Sequence, residues 1–125
     1  MDHSERTQAL RRRTKQFAGS VVRFYVSLDR QREEISILSK QLLRSGTSVG
    51  ANYREASRSR SDAEFIAKIE LCAQEADETQ YWLELLHEDC GISKIHTQPT
   101  WDEADELIRI FVAMSQNTKK RRDSK

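Results

Sequence analysis

The segment Ser45–Asp62, SGTSVGANYREASRSRSD, holds two of the chain's four glycines and six serine or threonine residues. Such a composition ordinarily marks a loop, because Gly, Ser and Asn all favour turns. The residues around and within it nevertheless keep helical phase. Ile35, Leu38, Leu42, Ser45, Val49, Asn52 and Ala56 step by three and four with no slip at Gly46 or Gly50. A loop would reset that phase, so the spacing predicts one continuous helix over 32–56, roughly 36 Å long at 1.5 Å per residue. Each interior glycine costs a helix about 1 kcal/mol relative to alanine. The compensation is close approach: Ser45, Gly46, Ser48, Gly50, Ala51 and Ala56 form a surface over which a second helix axis can pass nearby.

Working outward, the same rhythm continues on both sides. Leu10, Thr14, Phe17, Val21, Phe24 and Leu28 mark a helix over 4–28. Ser57–Ser61 reads as the true turn, and Ser61-Asp62-Ala63-Glu64 is a capping box that opens a third helix. Phe65, Ile69, Cys72, Ala76, Thr79, Leu83, Leu86 and Cys90 carry that helix over 62–90, and Gly91 ends it in a left-handed cap. Residues 93–99, with the chain's single proline at Pro99, read as a loop. Thr100-Trp101-Asp102-Glu103 is a second capping box, and Ala104, Leu107, Ile108, Phe111 and Met114 give a fourth helix over 100–116. Residues 117–125 contain no apolar side chain and read as a disordered basic tail. Strand signals are absent. The expectation is a single all-α domain over 1–116, an antiparallel up-down four-helix bundle.

At 125 residues, 37% hydrophobic and 33% charged, an isolated monomer would have a thin core, and burial against further copies is one remedy. No run of 18 or more apolar residues exists and the N-terminus is polar and charged, so neither a membrane span nor a secretory signal is expected and the cytoplasm is the default. Cys72 and Cys90 are expected to be reduced. The formal charge of +1 hides a segregation: residues 1–28 and 40–60 each carry +4, residues 62–89 carry nine acids against Lys68 alone, and residues 119–125 return to +4. That pattern suits helices pairing by charge within or between subunits, with basic surface left over.

Catalytic signatures are missing: the chain has no glycine-rich phosphate loop, no G-x-S-x-G and no H-E-x-x-H. Its single Glu-x-x-His, Glu84 to His87, is half of what a di-iron bundle requires. His87, Cys90 and His96 lack the second half of a zinc site, and Cys90 reads as a core or helix-end residue. No enzyme activity, metal or cofactor is expected. Basic residues, by contrast, fall in three groups. Arg11, Arg12, Arg13 and Lys15 form the first; Arg54, Arg58 and Arg60 surround the turn; Lys119, Lys120, Arg121 and Arg122 lie near the C-terminus. Arginine suits bidentate phosphate contacts, so these residues are the candidate nucleic-acid site. Exposed Trp82 and Trp101 would instead favour docking of a protein partner.

The stretch QLLRSGTSVGANYREASRSRSDAEFIAKIELCAQEADETQYWLELL, Gln41 to Leu86, resembles the signature of the small bacterial four helix bundle proteins, also called 23S rRNA-intervening-sequence proteins. The matching pieces are Ser48-x-Gly50-Ala51-Asn52, Glu55-Ala56, Ser61-x-x-Glu64-Phe65, and Glu75-Ala76-x-Glu78-Thr79 followed by Tyr81-Trp82-Leu83. Many members have Glu-Gly at Glu55-Ala56 and Gly-Ser at Gln74-Glu75, which places this chain in a subset. The resemblance implies a bundle that assembles as a homopentamer around a central pore, with no established enzymatic activity. It also gives Ser48, Gly50, Asn52, Glu55, Phe65 and Glu78 a helix-packing role. Some members are encoded within insertions in large-subunit ribosomal RNA genes. A more distant similarity is to the accessory protein of diversity-generating retroelements, which binds nucleic acid and a reverse transcriptase. The functional expectation is a non-enzymatic oligomer that binds RNA or DNA electrostatically. The alternative is a scaffold that docks a partner protein, with no nucleic-acid role.

Overall fold

Asp2 and Ser61 set where two of the helices begin. The computed structural model describes residues 1–124 and contains α1 (His3–Ser27), α2 (Glu33–Ala56), α3 (Asp62–Glu88) and α4 (Lys94–Asp123). The Asp2 carboxylate accepts from the Glu5 amide at 2.8 Å, and the Ser61 hydroxyl accepts from the Glu64 amide at 3.1 Å, each satisfying a donor that the first turn leaves unpaired. At the other end of α3, Gly91 takes a φ of +77°, open to glycine without strain, and the Ile92 amide returns to the Leu86 carbonyl at 3.0 Å.

Helix α2 runs through Gly46 and Gly50 without a break. Its glycines are explained by α1. A Cβ at Gly46 would lie 2.7 and 2.8 Å from the two Val21 methyls, and one at Gly50 would lie 3.3 Å from the Thr14 carbonyl oxygen. The second contact is to backbone, so at Gly50 the two helices approach nearly main chain to main chain. On its other side α2 meets α3 along a polar seam: Thr79 Oγ1 donates to Ser45 Oγ at 3.0 Å and Ser48 Oγ donates to the Glu75 carboxylate at 2.8 Å. These pairings fix an antiparallel register, and the bonds from Gln80 to the Trp101 carbonyl and from Lys119 to Glu70 fix the same for α3 and α4. Phe17, Val21, Leu42, Ile69, Leu83, Leu107 and Phe111 fill the core between the helices. Neighbours in sequence pack extensively, whereas α1 and α4 touch little.

Two expectations are corrected. Helix α4 starts at Lys94 and not at residue 100, so Thr100 to Glu103 do not form a cap; Ser93 does, accepting from the Ile95 amide at 3.3 Å. Pro99 lies inside the helix because the main-chain bond it removes would have ended on the carbonyl of Ile95, a residue 80% exposed, where water can replace it. Thr97 and Thr100 are buried and extend the inward stripe of Ala104, Leu107 and Phe111 by two more turns. Nor are residues 117–123 a disordered tail: they are the last turns of α4, held by buried Thr118, by Lys119 on Glu70 at 2.8 Å and by Arg121 near Asp62 at 3.6 Å. Threonines and ion pairs carry this segment, and an apolar count does not register them. The final residue of the expected tail, Lys125, lies outside the described residues.

A proline in a helix interior costs up to about 3 kcal/mol. Pro99→Ala should therefore stabilise the bundle by about 1–2 kcal/mol, read as a higher denaturant midpoint at unchanged slope. A lower midpoint would mean that the ring is packed against something the helix needs.

Candidate nucleic-acid interface

An antiparallel bundle places the N-termini of α1 and α3 at the same end as the C-termini of α2 and α4. Cut at the helix midpoints, the half made of residues 1–15, 45–75 and 109–124 carries fourteen basic and eight acidic side chains, net +6. The other half, 16–44 and 76–108, carries six against twelve, net −6. The near-neutral chain is thus a strong charge dipole along the bundle axis. All three basic groups of the sequence fall in the positive half. Arg54, Arg58 and Arg60 join Lys119 to Arg122 at its extreme end, and Arg11 to Lys15 lie about 12–18 Å along α1.

Their availability differs. Arg13 donates through Nε and Nη2 to the two oxygens of Glu103, at 2.7 and 2.8 Å, and also meets Glu106 at 3.1 Å. The Glu103 hydrogen bond leads in holding its guanidinium even more firmly protonated than usual. Arg13 is therefore chiefly the tie between α1 and α4. Lys119 is bound to Glu70, whose carboxyl it pulls below the usual range, Arg121 is paired to Asp62 and Arg122 to its neighbour Asp123. Arg12, Lys15, Arg54, Arg58, Arg60 and Lys120 are exposed, and neither they nor half-buried Arg11 have an ion-pair partner among the described residues. These seven are cations without local compensation. Arg6, exposed on the first turns of α1 and without an ion-pair partner among the described residues, belongs with them. It stands apart from the Arg11 cluster in sequence, and only the helical path brings it to the same end.

An open cleft of about 880 Å³ separates the terminal turns of α1 and α4 at this end, with the α2–α3 turn on its border. Leu10, Phe65, Ile110 and Met114, all half-buried, line it together with Arg6, Arg13, Arg60 and Arg121. No spacing within one helix announces this feature, because its wall comes from four.

The profile of the family described as 23S rRNA-intervening sequence protein matches residues 6–113. The chain belongs to that family. Among solved structures it is similar to the crystal structure of a protein with unknown function from the S23 ribosomal protein family of Bacteroides thetaiotaomicron, at 35% identity and a TM-score of 0.77 over 84% of this chain and 96% of that one. No curated protein matches it.

Of the expected packing residues, Ser48, Gly50, Glu55 and Glu78 occupy contacts between helices, whereas Asn52 bonds within α2. Ser48 bonds Glu75, Gly50 lies under Thr14, and Asn52 Nδ2 donates to the Ser48 carbonyl at 2.9 Å. Glu55 pairs with Lys68 at 3.3 Å, while Glu78 accepts from Arg44 and from the Trp82 indole. Phe65 differs from the rest, since part of its ring faces the cleft. Trp101 donates its indole N–H to Glu84 at 3.0 Å, so both tryptophans are half-buried with their polar atoms in use. Burial pushes the Cys72 thiol up to about 12 and Cys90 in the same direction, which keeps both protonated. His87 Nδ1 donates to the Ile92 carbonyl at 2.7 Å and His96 is exposed. Among the described residues no cluster of three or more His, Cys, Asp or Glu is placed to hold a metal, and no helix is long and apolar enough to cross a membrane.

Proposed function

We propose that this protein is a non-enzymatic bundle that binds RNA or DNA through phosphate contacts on its basic half. The observation that carries the reading is convergence: three basic groups far apart in sequence share one half of the molecule, and seven of their cations have no carboxylate on them among the described residues. A polyanion supplies the missing compensation, and its counterions are released on binding. The acidic half serves two ends in this reading: it keeps the chain near neutral and it repels nucleic acid, so that binding is confined to one end.

The same reading has the bundle acting in the cytoplasm as a homopentamer. Support for self-association comes from Val22 and Val26 on α1 and Ile37 on α2, which leave large apolar surface exposed. Five copies would present the basic end five times, and avidity would multiply weak contacts. The alternative, a scaffold that docks a protein partner, draws less support from tryptophans whose indoles are already bonded inside the bundle.

Fluorescence anisotropy against a structured RNA and a single-stranded DNA, at about 50 and 200 mM salt, tests the proposal. With at least four phosphate contacts per binding event, affinity should fall by about 50-fold or more between the two salts. Absence of binding at the lower salt would remove the nucleic-acid reading in favour of the scaffold.

A further inference from the structure

The cleft between α1 and α4 has a chemistry that phosphate binding alone does not require. A surface that reads only phosphates needs cations in water. Here four half-buried apolar side chains, Leu10, Phe65, Ile110 and Met114, form a floor open to solvent in the middle of the most basic part of the molecule. Water over such a floor is unfavourable, and a flat apolar or aromatic group would displace it. The border carries four arginines, Arg6, Arg13, Arg60 and Arg121, against one carboxylate, Asp62. Arg6 and Arg60 have no carboxylate partner among the described residues, and Arg121 is engaged only loosely, at 3.6 Å from Asp62. The volume, about 880 Å³, lies within the range of small-molecule sites.

Resting on the nucleic-acid reading above, we infer that this cleft receives an unpaired nucleotide, with the base on the apolar floor beside Phe65 and the flanking phosphates on Arg6 and Arg60. The charge pattern selects this ligand over an apolar monoanion, because several separate arginines match successive phosphates of a strand better than one carboxylate. It also selects single strands over duplex. In a blunt duplex every base is stacked and paired, so the floor would remain unfilled and only the arginines would engage. A base has a flat face whatever its identity, so the site distinguishes strandedness and not sequence.

The test uses the full chain and a twelve-nucleotide DNA carrying 2-aminopurine, single-stranded or as a blunt duplex, with free adenosine monophosphate as competitor. The single strand should bind at least about 10-fold more tightly than the duplex, and its 2-aminopurine fluorescence should change on binding. Free mononucleotide should compete only at far higher concentration, since it offers one phosphate. Phe65→Ala should weaken the single strand by roughly 5- to 100-fold while leaving duplex affinity within about twofold. Phe65→Leu, which keeps apolar volume, and Met114→Glu, which places a carboxylate in the cleft, guard against a folding defect in the first variant. Both should reduce the preference for single strands at an unchanged circular dichroism spectrum. Equal affinity for strand and duplex, or a strand preference untouched by all three variants, overturns the cleft assignment. If arginine substitutions still weaken binding in that case, the phosphate-binding function stands without it. If neither set matters, both fall together.

Discussion

A single methyl group added at Gly46 should lower the melting temperature of this protein by several degrees, although alanine is the better helix former. The added Cβ falls 2.7 and 2.8 Å from the Val21 methyls, closer than carbon atoms approach without displacement. Val21 has no exposed surface and cannot swing aside. Overpacking of this kind costs about 1–3 kcal/mol, against which the helix-propensity gain is about 1 kcal/mol. The net loss should appear as a fall of about 3–8 °C at fixed protein concentration. Gly50→Leu should be worse, because the obstacle there is the Thr14 main chain, which no rotamer change can move. The decisive comparison is the double variant. Val21→Ala removes both clashing methyls, and in that background Gly46→Ala should turn from destabilising to neutral or stabilising, a coupling of about 1–3 kcal/mol. Additive effects would mean that Gly46 does not lie under Val21.

The second large effect concerns binding. Arg54→Ala, Arg58→Ala and Arg60→Ala together should reduce affinity for structured RNA by about 100-fold or more at low salt. They should also make the slope of log affinity against log salt shallower by about two to three. All three side chains are exposed and have no ion-pair partner among the described residues, so melting temperature and oligomeric state should not move. Arg13→Ala is the contrasting control. Its guanidinium joins α1 to Glu103 and Glu106 of α4, so its loss should show first in stability. An unchanged RNA affinity in the triple variant would dismiss the turn as part of the interface.

Most of the bundle was legible because core faces follow a simple period. The unbroken α2 was readable through its glycines since phase is a stronger signal than composition, and the clash geometry at Val21 gives the physical reason for the glycines. Legibility failed where helices are held by means other than apolar side chains. Residues 94–99 and 117–123 are helical, yet their inward positions are Thr97 and Thr118, and the outward ties of the second segment are ion pairs to α3. A proline and a capping-box match at Thr100 pointed the other way. The basic residues were visible one by one, but their availability was not. That Arg13 is occupied, and that Arg6, Arg60 and Arg121 border one cleft with Phe65, depends on the antiparallel arrangement of four segments.

Where nucleic acid lands distinguishes the basic half of the bundle from the acidic half as the interface. Hydrogen exchange of the protein with and without a structured RNA, at about 50 mM salt, locates it directly. Protection should concentrate in residues 1–15, 50–66 and 113–124, with residues 76–100 unchanged. Protection centred on the acidic half, or none at saturating RNA, would contradict the basic half as the interface.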